Sequence, residues 1–312
     1  MTDQKRIDEP TNTELVGHEW DGIEELNTPL PRWWLLTFYA CIVFAIGYTV
    51  VYPAWPGVHS ATPGVLGWHS RNDLRADLKS QQTRNAPVLA ALAATPIEAL
   101  PSHPQLLQAA IEGGRAQFRI HCVQCHGSGA TGIQGLYPNL NDDDWLWGGD
   151  LKAIEYTITN GVRNPDVPTT RSSQMPSFGR DGILKPDQIQ DVVSHVRTIS
   201  GQEAASASSA RGAALFAANC VVCHGAEGKG NRLVGAPNLT DKIWLYGGSR
   251  EAITASVTTA HAGVMPAWGK QLDAVTIKML ATYVHSLGGG EPNPVESAAA
   301  APAAAAPPAP PQ

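Results

Sequence analysis

From Trp33 to Tyr52 about twenty residues pass without a charged side chain. A helix of that length covers ~30 Å at ~1.5 Å per residue, the thickness of one hydrocarbon core. Trp33, Trp34, Tyr52 and Trp55 stand at its ends, where amphipathic rings favour the membrane–water boundary. The polar residues 1–32 ahead of it and the "YPAWP" behind it do not suit a cleaved signal peptide, so the run predicts a retained membrane helix. Beyond it the pattern turns polar: "SRNDLRADLKSQQ" (Ser70 to Gln82) predicts a solvated helix with Leu74 and Leu78 on one side. "PVLAALAATPIEALPSHPQLLQAA" then predicts short helices broken at proline.

The rest of the chain repeats itself. "GRAQFRIHCVQCH" faces "GAALFAANCVVCH", which sets Gly114 against Gly212 and Phe118 against Phe216. "YPNL" (Tyr137 to Leu140) faces "APNL" (Ala236 to Leu239), and "WLWGGD" from Trp145 faces "WLYGGS" from Trp244. "MPSFG" at Met175 answers "MPAWG" at Met265. A helical pattern ends each copy, "PDQIQDVVSHVRTIS" in the first and "DAVTIKMLATYVHSLG" in the second. The first copy is longer between its Trp and its Met by a loop, "RNPDVPTTRSS". "GQEAASASSA" (Gly201 to Ala210) reads as a linker or a helix start, and the Ala/Pro-rich tail 289–312 as disordered. The resulting division is 1–32 ahead of the anchor, 33–52 anchor, 53–108 linker with short helices, 109–200 first repeat, 201–288 second repeat, 289–312 tail.

The repeats carry chemistry. Cys122, Cys125 and His126 form one C-x-x-C-H motif, and Cys220, Cys223 and His224 another. That spacing attaches c-type haem: two thiols add to the porphyrin vinyl groups and the imidazole rises on the next turn to meet iron. Disulfides or zinc would use the four thiols but leave the paired histidines unexplained. Met175 and Met265 are the candidate sixth ligands, because a thioether opposite imidazole favours ferrous iron and closes the metal to gases and peroxide. Met279 sits in a helical pattern and reads as core. His195 lies opposite Tyr283 in the closing helices and reads as a helix-face residue, as does His121; His261, four residues before Met265, reads as a loop residue or a substitute ligand. Arg163, Arg171 and Arg180 are possible propionate counter-ions, and "NDDDW" (Asn141 to Trp145) is either a docking patch for a basic redox partner or a solvated turn or helix cap.

Composition narrows the partners. A net charge of −6 argues against nucleic acid. Lys5, Arg6 and Arg32 precede the apolar run and no Lys or Arg follows it until Arg71, which predicts a cytoplasmic N-terminus. Haem attachment outside the bacterial cytoplasmic membrane agrees, placing the repeats in the periplasm.

Each repeat resembles the class I cytochrome c domain. The resemblance implies a leading helix crossing a closing helix, and Pro138 and Pro237 carbonyls that accept from the proximal imidazoles. It gives an all-α fold: one N-terminal transmembrane helix followed by two tandem class I cytochrome c domains with two covalently attached haem c groups. "DGIEELNTPLPRWW" (Asp21 to Trp34), the single anchor, both haem motifs and both "MP" phrases together resemble the dihaem subunit, subunit III, of cbb3-type cytochrome c oxidases. This implies a single-pass inner-membrane protein that takes electrons from a soluble or anchored cytochrome c. Electrons would continue through a monohaem subunit to the haem–copper catalytic subunit, with membrane lipid around the anchor. The chain itself carries no catalytic centre in this reading. The alternatives are an anchored shuttle for a periplasmic dehydrogenase or nitrite reductase, and a dihaem peroxidase, which would need an open iron position.

Overall fold

Asp21 and Gly22 adopt φ of 51° and 85°, the left-handed pair that a two-residue hairpin turn requires. They join β2 (Thr13–Trp20) to β3 (Ile23–Leu26), and β1 (Ile7–Asp8) pairs with β2 to complete an antiparallel meander. This small sheet adds to the expected helical architecture, and its sequence signal is the Asp-Gly between "GHEW" and "IEEL". The computed structural model describes residues 6–293. Beyond the meander its regular elements are helical: one apolar helix near the N-terminus and then two helical repeats. The chain separates after Arg84 into two units.

In the first unit, α1 (Arg32–Val51) is long and apolar enough to cross a membrane, and none of it is buried by the protein. Its two threonine hydroxyls are satisfied within the helix, Thr37 donating to the Trp33 carbonyl at 2.9 Å and Thr49 to the Ile46 carbonyl at 2.8 Å, as a lipid environment demands. At its C-terminal end the Val50 and Val51 carbonyls accept from the Val65 and Leu66 amides at 2.9 and 3.2 Å, which answers two of the four acceptors a helix end leaves open. Gly64, at φ +69°, permits that return; a Cβ there would lie 2.4 Å from the Val51 oxygen.

Helix α2 (Ser70–Ala94) runs unbroken through Pro87, where short pieces were expected. The interruption comes instead at Pro96, followed by a 3₁₀ turn (Ile97–Ser102) and by α3 (Pro104–His121). Proline opens α3 in its first turn, where the missing N–H has no helical partner to lose.

The second unit has two hydrophobic clusters, and each draws on both repeats. One joins Leu100, Phe118, Leu151 and Ile154 to Ile277, Leu280 and Val284. The other joins Ile189, Val192 and Val196 to Phe216, Ile253 and Val257. Accordingly α3 packs on α10 (Ala274–His285) and α7 (Ala207–Asn219) packs on α6 (Pro186–Ile199). Helices α5 (Leu151–Asn160) and α9 (Arg250–Thr259) follow the same exchange, α5 against α10 and α9 against α6. The expectation that each repeat closes with the helix that follows it is therefore corrected: the closing helices are exchanged. Exchange of like elements costs little because each contact is replaced by its counterpart.

Small residues make both crossings close. A Cβ on Gly114 would come within 2.0 Å of the Met279 carbonyl oxygen, and one on Gly212 within 1.9 Å of the Asp191 oxygen. Beside them Phe118 meets Tyr283 edge-on at 5.3 Å, and Phe216 meets His195 at 5.1 Å. His195 thus serves the crossing, Met279 is buried in the core, and His121 lies beside Trp268 at 5.4 Å. Gly212→Ala should force α6 and α7 apart and destabilise the protein by about 3 kcal/mol. A thermal melt checks this; an unshifted midpoint would show that the crossing is looser than described.

The tail is ordered where it begins. Trp145 Nε1 donates to the Gly289 carbonyl at 2.5 Å, the Gly149 amide donates to Glu291 at 2.8 Å, and Asn293 is buried. Disorder expected from residue 289 is thus corrected for 289–293, and 294–312 lie outside the described residues.

Candidate haem sites

The two motifs have the same local geometry. Cys122 ends α3 and Cys220 ends α7; one helical turn follows each, α4 (Val123–His126) and α8 (Val221–His224). The turn puts His126 Nδ1 3.1 Å from the Pro138 carbonyl and His224 Nδ1 3.1 Å from the Pro237 carbonyl. A carbonyl can only accept, so Nδ1 carries the proton and Nε2 keeps its lone pair for a ligand. Burial is the main influence on both imidazoles and lowers their pKa; the proline carbonyls oppose it. Burial first, then the neighbouring thiol, pushes Cys122 and Cys220 up to about 11. Two thiols and an oriented imidazole within five residues are the donor set that covalent haem attachment uses.

Each methionine phrase lies by the haem motif of the other repeat. Met265 packs on the cluster that holds Cys122 and Val123, and Met175 on the cluster that holds Cys220 and Val221. Hydrogen bonds to the ends of α5 and α9 hold both phrases. Val162 and Met265 exchange two, at 3.0 and 2.9 Å, and Trp268 and Gly269 donate to Ile158 and Thr159 at the end of α5, both at 3.0 Å. In the other half Ser177 Oγ donates to Thr259 at 2.7 Å and the Arg180 amide to Thr258 at 2.9 Å, both at the end of α9. Arg163 ties the two phrases together, donating to the Gly263 carbonyl at 2.7 Å and the Ser173 carbonyl at 2.9 Å.

The remaining candidates fall around this frame. His261 stacks on Tyr246, centroids 3.9 Å apart and planes 8° from parallel. Arg171 lies over Trp147 and Tyr156, and Arg180 reaches Asp181 at 3.2 Å. In the acidic "NDDDW" stretch Asp143 is exposed and Asp142 and Asp144 are half-buried. Burial first, then Asp241, Asp142 and Asp143, pushes Asp144 up to about 6. Sequence reasoning did not find Trp147, and it did not find the exchange.

Residues 12–59 match the family described as the N-terminal domain of cytochrome oxidase-cbb3, FixP. Residues 109–196 and 207–284 each match the family described as cytochrome c oxidase, cbb3-type, subunit III. The chain is 52% identical over 93% of its length, and 98% of the relative's, to the cbb3-type cytochrome c oxidase subunit CcoP of Cereibacter sphaeroides. It is 50% identical, over 93% of its length and 100% of the relative's, to subunit FixP of a Bradyrhizobium species. Against FixP of Sinorhizobium medicae the figures are 48%, 92% and 98%. On matches that take in the anchor and both repeats, the chain belongs to the cbb3-type cytochrome c oxidase subunit III family.

Proposed function

We infer that this chain is the dihaem electron carrier of a cbb3-type oxidase, taking electrons from a cytochrome c donor and passing them towards the haem–copper subunit. Membership of the family supports two haem c groups and assembly with other oxidase subunits. The observation that carries the finer reading is the crossed packing, in which Cys122 shares a hydrophobic cluster with Met265 and Cys220 shares one with Met175, while a proline carbonyl orients each motif's imidazole.

In this reading Cys122 and Cys125 would attach one haem, and His126 and Met265 would hold its iron. Cys220 and Cys223 would attach the second, with His224 and Met175. Bound there, haem c supplies reversible one-electron chemistry. The protein's own share would be to hold each imidazole by its Nδ1–H, to position each thioether through the segment around it, and so to keep exogenous ligands from the iron. The α5 and α9 C-termini do the second task, since they bond the residues flanking Met265 and Met175. Helix α1 is the membrane anchor, with the N-terminus cytoplasmic and the repeats periplasmic, as the basic residues before the span support.

Replacing Cys122 and Cys125 together by Ala should halve covalent haem stain per chain while the second haem remains. Full stain would contradict the attachment. Deleting Trp33 to Tyr52 should release haem-bearing protein that no longer co-purifies with an oxygen-consuming haem–copper enzyme; intact co-purification would show that the span is dispensable.

A further inference from the structure

Among the described residues, nothing covers one face of the antiparallel meander ahead of α1. Trp20 and Ile23 pair across the Asp21-Gly22 turn, so both project from that face. They are 67% and 69% exposed, and the His18 ring meets Trp20 edge-on at 5.9 Å. Ile7 on the outer strand is exposed as well, and no residue from 6 to 31 is buried. Three short strands that bury no side chain are marginal by themselves. A paired Trp and Ile left in water mark a surface that another molecule covers.

Charge selects the molecule. Residues 6–31 carry seven carboxylates and one arginine, and Arg6 is committed to Glu24, its two terminal nitrogens donating at 2.5 and 2.9 Å. Asp21 and Glu25, next in sequence to the Trp20–Ile23 pair, have no ion-pair partner among the described residues. Five residues separate β3 from α1, a reach of at most about 18 Å, which keeps the sheet at the membrane surface where α1 emerges. With the N-terminus cytoplasmic, two kinds of surface lie within that reach. The cytoplasmic leaflet is negative and repels an acidic segment. Cytoplasmic loops of integral membrane proteins carry an excess of Lys and Arg, and membership of an oxidase-subunit family brings such loops alongside. We propose that the meander docks through Trp20 and Ile23 on a Lys/Arg-rich cytoplasmic loop surface of an integral membrane subunit of the same oxidase. The carboxylates around the apolar pair supply the polar rim that such interfaces have. This rests on the cytoplasmic placement of the N-terminus made above.

A photo-crosslinking amino acid at position 23 of the full-length protein, irradiated in native membranes, should join it to a second oxidase subunit, at a Lys/Arg-rich cytoplasmic loop. In detergent, Trp20→Ala should lower the oxidase co-purified per chain about tenfold, as loss of a central aromatic anchor does. Asp21→Asn with Glu25→Gln keeps the apolar pair and a residue that tolerates the left-handed turn; it should make the complex come apart at lower salt. Both variants should keep the covalent haem of the unmodified protein. Crosslinks to lipid alone, to a second copy of this chain or to nothing would overturn the docking, as would variants that co-purify like the unmodified protein. Should Trp20→Ala disturb the sheet itself, the crosslink and the carboxylate variant decide the question. Orientation is read separately: protease should remove an epitope tag placed ahead of Met1 in inverted vesicles and spare it in intact spheroplasts. The reverse would overturn the cytoplasmic placement instead.

Discussion

A chain ending at Ser200 should not fold, although it contains a complete haem motif, a methionine phrase and a closing helix. It keeps α3 but loses α10, and with it the partners that bury Phe118, Leu100 and Leu151. Ile277, Leu280 and Val284 are each almost fully buried in the intact protein. Burial of such a side chain is worth about 1.5–3 kcal/mol, so losing three of them consumes a large share of the ~5–15 kcal/mol that holds a typical domain together. The fragment also loses Met265 and the bonds from Trp268 and Gly269 to α5. Helix α6, still present, has its cognate surface on α7, which is absent. Far-UV circular dichroism should show no cooperative melt, and limited proteolysis should degrade the fragment where the full chain resists. Co-expression with the remainder from Gly201 onward should restore both. A fragment that melts cooperatively by itself would mean that the first repeat closes on its own helix.

The methionines should separate the two haems electrochemically. Thioether ligation raises the potential relative to imidazole, so Met175→His and Met265→His should each lower one reduction wave and leave the other near its place. The expected fall is on the order of 0.2 V, within the ~0.8 V range that axial ligands span. Backbone anchoring at Val162, Trp268 and Gly269 is untouched by a side-chain change at Met265, so the variant should fold and isolate the ligand's effect. A redox titration checks this, and potentials that stay put in both variants would remove the methionines from the iron.

Much of this was legible from residues alone, and the reason lies in local chemistry. The uncharged run from Trp33 to Tyr52 became α1, shifted by a single residue at each end. Cys-x-x-Cys-His fixes its own turn, and the Pro138 and Pro237 carbonyls meet the imidazoles as the family resemblance implied. Residues matched between repeats also signalled the crossings, Gly114 with Gly212 and Phe118 with Phe216. That same likeness hid the exchange. When both leading helices offer glycine and phenylalanine at the crossing, either closing helix satisfies either partner, and the pattern of apolar positions is identical for exchanged and unexchanged chains. The hairpin at Asp21-Gly22 had a signal, but its strands are short and bury little. Trp147 and Arg171 are far apart in sequence, and only the loop returning over α5 brings them together.

The pairing of each imidazole with the thioether of the other repeat can be read from a chain that keeps one haem. In the Cys220→Ala, Cys223→Ala protein, the oxidised first haem should show the sulfur-to-iron charge-transfer absorption. Adding Met175→Leu should leave that band intact, and adding Met265→Leu should abolish it. Loss of the band with Met175→Leu and its survival with Met265→Leu would contradict the exchange.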